Sequence, residues 1–183
     1  QAVSIFIMSI FISPIQLGFF FGASRVHRAL NALFGPISQA FYPIIASEKN
    51  NHSKVLIKKY LFFMFITGFI LFLVGFAFAE NIIMFLLGVD FLPAFQNLKF
   101  FVIVLPLTAI SNALGRQWLM KLDQDFNLAL IQLFSTLVGF LSFILTLPKM
   151  GINSFPLSLI IYEFSSIIMI LILISNGKNA KLF

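Results

Sequence analysis

Long apolar runs alternate with short polar interruptions along this chain, and the runs have membrane length. A helix needs about 20 mostly apolar residues to cross a bilayer. Leu61 to Ala79 is apolar apart from Thr67, Gly68 and Gly75. Phe126 to Leu147 carries no charge, and Phe155 to Ser175 carries one, Glu163. Another run, Ala94 to Met120, has Lys99 near one end, Arg116 near the other and Pro106 between them. Proline is tolerated inside membrane helices more readily than in soluble ones. The pattern predicts an all-α integral membrane protein.

The first 47 residues can be cut in two ways. Arg25, His27 and Arg28 are their only acidic or basic side chains. A break at Ser13-Pro14 places this cluster inside a second span. A break at Ser24 to Asn31 makes it a loop. Loop charge decides, because cytoplasmic loops carry an excess of Lys and Arg. The next loop, Glu48 to Lys59, holds Lys49, Lys54, Lys58 and Lys59. A basic loop at Arg25 to Arg28 would put two basic loops on opposite sides of one span. The break at Pro14 instead collects Lys49, Lys54, Lys58, Lys59, Arg116, Lys121, Lys178 and Lys181 on the cytoplasmic side. Lys149, Glu80 and Asp90 then lie outside, with Lys99 at an outer helix end. Asp123 and Asp125, beside Lys121, read as a solvated turn. The expected spans are 1–13, 17–46, 60–80, 94–120, 126–147 and 154–175, with both ends cytoplasmic. Gly35-Pro36 and Pro43 are expected to bend the second span or end it early.

Composition agrees. Hydrophobic residues make up 60% of 183 and charged residues 10%, against about 25% charged in ordinary soluble domains; the mean hydropathy is +1.04. The net charge of +6 is then a topology signal rather than a nucleic-acid footprint. The absence of cysteine excludes disulfides, thiol catalysis and cysteine metal sites. Gln1 opens directly on an apolar run with no charged segment before it. That start is expected to be the remainder of a truncated first span, not a signal peptide.

Several short motifs are familiar. Gly18-Phe19-Phe20-Phe21-Gly22-Ala23-Ser24-Arg25-Val26 resembles a pattern of glycine, two aromatics, alanine, a basic residue and an aliphatic one. Pro36-Ile37-Ser38-Gln39-Ala40-Phe41-Tyr42-Pro43 follows at a compatible distance. Leu86 to Ala94, then Pro148-Lys149-Met150-Gly151-Ile152 and Glu163, complete the set. Ser154 stands where a glycine is usual. In order, these are similar to the C-terminal half of Wzx-type polysaccharide flippases of the MOP exporter superfamily, which also contains the MATE transporters. The resemblance implies one six-helix lobe of a two-lobe, twelve-helix transporter in the bacterial inner membrane, with the N-terminal lobe as its partner. It implies transfer of a polyprenyl-pyrophosphate-linked oligosaccharide from the inner to the outer leaflet by alternating access. A polysaccharide polymerase is a further implied partner. Neither enzymatic activity nor a cofactor is expected.

Charge at bilayer depth costs several kcal/mol or more, so the polar residues in the spans are the candidate site. Arg25 and Arg28 are three apart and share a helix face. A guanidinium grips phosphate oxygens in a planar fork, which suits a pyrophosphate or an acidic sugar. Arg25 stands at the matched basic position and is expected to lead. The rival readings are an interhelical ion pair or a headgroup contact. His27 is a proton carrier or a packed side chain. Glu163, mid-span, is expected to pair with Arg25 or Arg28, or to serve a coupling step. Ser111, Asn112, Gln132, Ser135 and Tyr162 trace a further polar line that helix–helix hydrogen bonds explain equally well. No metal-ligand spacing is present. Rival functions are a cation-coupled MATE-type drug antiporter, a lipid II flippase and a non-transporting membrane scaffold.

Overall fold

The structure is a computed structural model that describes residues 2–47, 51–119 and 124–176. Among these residues every regular element is helical: α1 Ala2–Phe11, α2 Pro14–Ala32, α3 Phe34–Ser47, α4 Asn51–Ala77, α5 Ala79–Leu87, α6 Ala94–Val102, α7 Val104–Asn112, α8 Asp125–Met150 and α9 Ser154–Asn176. Among the described residues three stretches are long and apolar enough to cross a membrane: Val55–Ala77, Ala94–Gly115 and Asp125–Ser175. The last folds back on itself at Gly151. Large apolar side chains such as Phe62, Phe69, Leu133 and Ile168 face outward, as expected where hydrocarbon is the solvent.

Proline and glycine set the breaks. The chain leaves α1 at Ile12 and restarts with Pro14 in the first turn of α2. Ser13 caps this helix by accepting from the Gln16 amide at 3.4 Å. The Arg25–Arg28 cluster therefore lies within α2, and the stretch 24–31 is helix rather than loop. The long second span divides at Leu33, three residues before Pro36, and α6 passes to α7 at Ile103, three residues before Pro106. In each case the proline lacks the amide that would bond the carbonyl four residues back. Pro43 and Pro148, by contrast, sit inside continuous helices. After Asn112 the chain widens into a π-helical segment, Ala113–Leu119.

Boundaries shift from the sequence reading: α8 runs through Pro148 to Met150 rather than ending at 147, and the 60–80 span breaks at Phe78, with a separate helix from Ala79. The basic loop is helical from Asn51 onward as the start of α4, because Lys54, Lys58 and Lys59 favour helix and no Gly or Pro intervenes. Lys49, Lys121, Asp123, Lys178 and Lys181 lie outside the described residues, as do the side chains of Lys54 and Arg116.

Close approach of small residues holds the bundle. A Cβ at Gly68 of α4 would stand 2.9 Å from the Ala109 Cβ and 3.0 Å from the Pro106 Cα on α7. Gly139 of α8 meets Ser158 and Tyr162 of α9 at 3.1 Å in the same sense. Gly151, at φ 54°, closes the α8–α9 hairpin in a conformation that other residues resist. Phe20 of α2, Phe101 of α6 and Phe155 of α9 cluster in tilted and edge-to-face pairs, with centroids 5.4–6.2 Å apart. Most serine and threonine hydroxyls bond carbonyls of their own helix: Ser9 to Phe6, Ser24 to Phe21, Thr67 to Phe63, Thr136 to Gln132, Ser142 to Gly139 and Ser165 to Tyr162. Such local bonds satisfy the hydroxyl without a neighbouring helix.

Candidate functional site

Residues 21, 24, 28 and 31 of α2 recur at helical spacing and make one stripe. That stripe forms a wall of a cavity of about 240 Å³ between α2, α6, α7 and α9. Its polar lining is Ser24, His27, Arg28 and Asn31 from α2, Thr108 from α7 and Glu163 from α9, with Tyr162 beside it. Phe20, Phe101 and Phe155 supply the apolar floor.

The polar groups are only partly satisfied. Thr108 Oγ1 donates to Glu163 Oε1 at 2.9 Å, and Ser111, one turn on, lies beside the same carboxylate. Glu163 Oε2 has no hydrogen-bond partner among the described residues, nor do His27 Nε2 and Asn31 Oδ1. His27 and Glu163 are each only 7% exposed. His27 stacks on Phe101, with centroids 5.2 Å apart and planes 27° from parallel. Arg28 Nε reaches the Ser24 carbonyl at 3.4 Å. An unsatisfied buried polar atom costs about 1–3 kcal/mol. Three of them on one cavity mark it as a place for a polar occupant.

The four residues singled out from the sequence do not all meet. Arg28, His27 and Glu163 line the cavity together. Arg25 lines a separate hollow with Gly18, Gly22, Leu87 and Phe91. Three residues advance a helix by 300°, so Arg25 and Arg28 point about 60° apart, and Phe21 stands on the rim of both hollows. That is enough to part them. The expected pairing of Glu163 with an arginine is replaced by its bond to Thr108. Of the fainter polar line, Tyr162 reaches the cavity and Ser111 the carboxylate. Gln132 is exposed, and Ser135 is buried with its hydroxyl 4.0 Å from the Met169 sulfur.

Asn31 and Thr108 were not legible as site residues. Asn31 had a signal, since it continues the Ser24–Arg28 stripe by three. Thr108 had none, because its partner is 55 residues away.

Chemically, Arg28 offers fixed donors to an anion, and the Asn31 amide has both donor and acceptor capacity. Glu163 Oε2 can accept from a hydroxyl or hold a cation. Among the described residues there is no group of three His, Cys, Asp or Glu able to hold a metal. No family model, curated protein or solved structure matches this chain.

Proposed function

We propose that the chain is the C-terminal six-span lobe of a flippase. Its cargo is a polyprenyl-pyrophosphate-linked oligosaccharide repeat unit, moved from the inner to the outer leaflet of the bacterial cytoplasmic membrane for surface polysaccharide synthesis. Both ends of the segment face the cytoplasm. The observation that carries the reading is the joint presence of Arg28, His27, Asn31 and Glu163 on one cavity in a bundle with an apolar exterior. Arg28 takes the diphosphate. Asn31 and the free oxygen of Glu163 meet hydroxyls of the first sugar. At about 240 Å³ the cavity is below the roughly 300–1,000 Å³ of drug-sized sites, so it fits the head group and not a whole repeat unit. The glycan then extends toward the N-terminal lobe, which completes the path by alternating access.

Arg28→Ala in the full-length protein abolishes surface polysaccharide while protein level is kept. Normal polymer in that variant sinks the proposal.

One observation favours a second reading. The unpartnered Oε2 of Glu163 suits a cation, as in a cation-coupled MATE-type antiporter. Loss of drug efflux in Glu163→Gln, with polysaccharide intact, selects that reading.

A further inference from the structure

A second, larger hollow adjoins the polar cavity. It measures about 530 Å³ and lies between α1, α8 and α9. Its walls are mostly apolar, Val3 of α1, Leu137, Phe140 and Phe143 of α8, and Phe155 and Leu159 of α9, with Ser4, Thr136 and Ser158 also on the lining. The two hollows share a wall, because Phe155, Leu159 and Tyr162 line both. α1 spans the junction as well: Ile5 faces the polar hollow and Val3 the apolar one. One opening is thus charged and too small for a whole ligand, and the next is apolar and of ligand size.

We infer that the two hollows form one amphiphile site: Arg28 holds the diphosphate, and the groove between α1, α8 and α9 holds the first isoprene units of the same lipid. This rests on the diphosphate reading of the cavity and goes beyond it. The tail is seated on the protein rather than left in bulk lipid.

The groove runs from Thr136 to Phe143 on α8 and from Phe155 to Tyr162 on α9. Seven residues of helix rise about 10 Å, the length of about two isoprene units and far short of a whole polyprenyl chain. Only the head-proximal units are held. Lipid tails are as apolar as leucine, so hydrocarbon gains little by leaving the bilayer for an apolar groove. The tail therefore has no reason to prefer this groove unless the head is fixed beside it. Charge complementarity at Arg28 selects an anionic head over neutral annular lipid, and the isoprenoid tail follows from the proposed cargo.

The test uses the full-length protein in phosphatidylcholine nanodiscs. The probe is geranylgeranyl diphosphate carrying a photoactivatable diazirine near the head end of its tail. The neutral alcohol with the same diazirine is the control, and inorganic pyrophosphate binding is measured in parallel. The diphosphate probe should label Leu137, Phe140 and Leu159 above all other sites. Labelling there should fall several-fold in Leu137→Trp, which fills the groove from a position that is 51% exposed and tolerates bulk. Thr136→Trp is the second filling variant should the first fail to fold. Arg28→Ala should scatter the label over outward residues such as Phe62 and Phe69, the pattern expected of the neutral alcohol.

Scattered labelling by the diphosphate probe, with pyrophosphate still bound, overturns the tail site and leaves the proposed function standing. Groove labelling that is equal for alcohol and diphosphate and indifferent to Arg28→Ala overturns the linked site. If pyrophosphate does not bind and no groove label forms, both readings fail.

Discussion

Gly68 offers the sharpest test of how this bundle is held. An alanine there places its Cβ 2.9 Å from the Ala109 Cβ, 3.0 Å from the Pro106 Cα and 3.1 Å from the Leu105 carbonyl oxygen. None of these atoms can rotate away, since two are backbone and the third is a Cβ. Ordinary contact begins near 3.4 Å, so α4 and α7 must give way by a few tenths of an ångström at this point. Forced overpacking of this kind costs about 1–3 kcal/mol. Alanine also gains roughly 1 kcal/mol over glycine in a helix interior, which hides part of the cost. Gly18→Ala cancels that term: Gly18 also lies inside a helix, and nothing approaches its Cβ within 4 Å. Gly68→Ala should therefore be about 1–3 kcal/mol less stable than Gly18→Ala, roughly 5- to 150-fold in the unfolding equilibrium. The assay is reversible unfolding in mixed micelles with rising dodecyl sulfate, followed by far-UV circular dichroism. Thr108 adjoins Ala109 on the displaced helix, so under the proposed function polysaccharide export should fall too. If the two variants unfold within about 0.5 kcal/mol of each other, close packing at Gly68 is not what joins α4 to α7.

Further expectations concern the site and the topology. Arg28→Ala should stop polysaccharide export, whereas Arg25→Ala, in its separate hollow, should leave more than half of it; cell-surface polymer measured by gel decides, and the reverse order refutes the division. Thr108→Val removes the hydrogen bond that Thr108 donates to Glu163 and should destabilise the fold by about 1–3 kcal/mol; a Thr108→Ser variant that restores the hydroxyl should recover most of it. This segment has no cysteine, so single cysteines placed in it report topology without background from the segment itself. Lys149→Cys and Asp90→Cys should react with an impermeant maleimide from outside the cell and Lys59→Cys only after permeabilisation, and a reversed pattern overturns the orientation.

Runs of apolar residues carried most of the fold, because in hydrocarbon a backbone can satisfy its own polar groups only within helices. The break before Pro14 and the place of Arg25–Arg28 inside a helix followed from proline chemistry and loop charge. Less legible was the division at Leu33 and Ile103, since the fault appears three residues before the proline that causes it. The site was half legible. Composition marks Arg28, His27 and Glu163, because charge in an apolar run is conspicuous. It cannot separate Arg25 from Arg28, which differ by 60° around one helix. It also gives no hint that Glu163 meets Thr108 rather than a cation, for that choice depends on how α7 and α9 pack.

The hydroxyls that bond their own helices bear on how this sequence can change over time. Ser9, Thr67, Ser142 and Ser165 each donate to a carbonyl of their own helix, so exchange for alanine removes a hydrogen bond within one helix rather than between two. Outward-facing phenylalanines can likewise drift to leucine or isoleucine, as one hydrocarbon surface serves the lipid as well as another. Selection then rests on few positions: Gly68 and Gly139 where helices touch, Pro36 and Pro106 where they divide, and Arg28, Thr108 and Glu163 around the cavity. Two such chains could share this architecture while agreeing at little else. Kinship among them is better sought in the spacing of those fixed points than in overall identity.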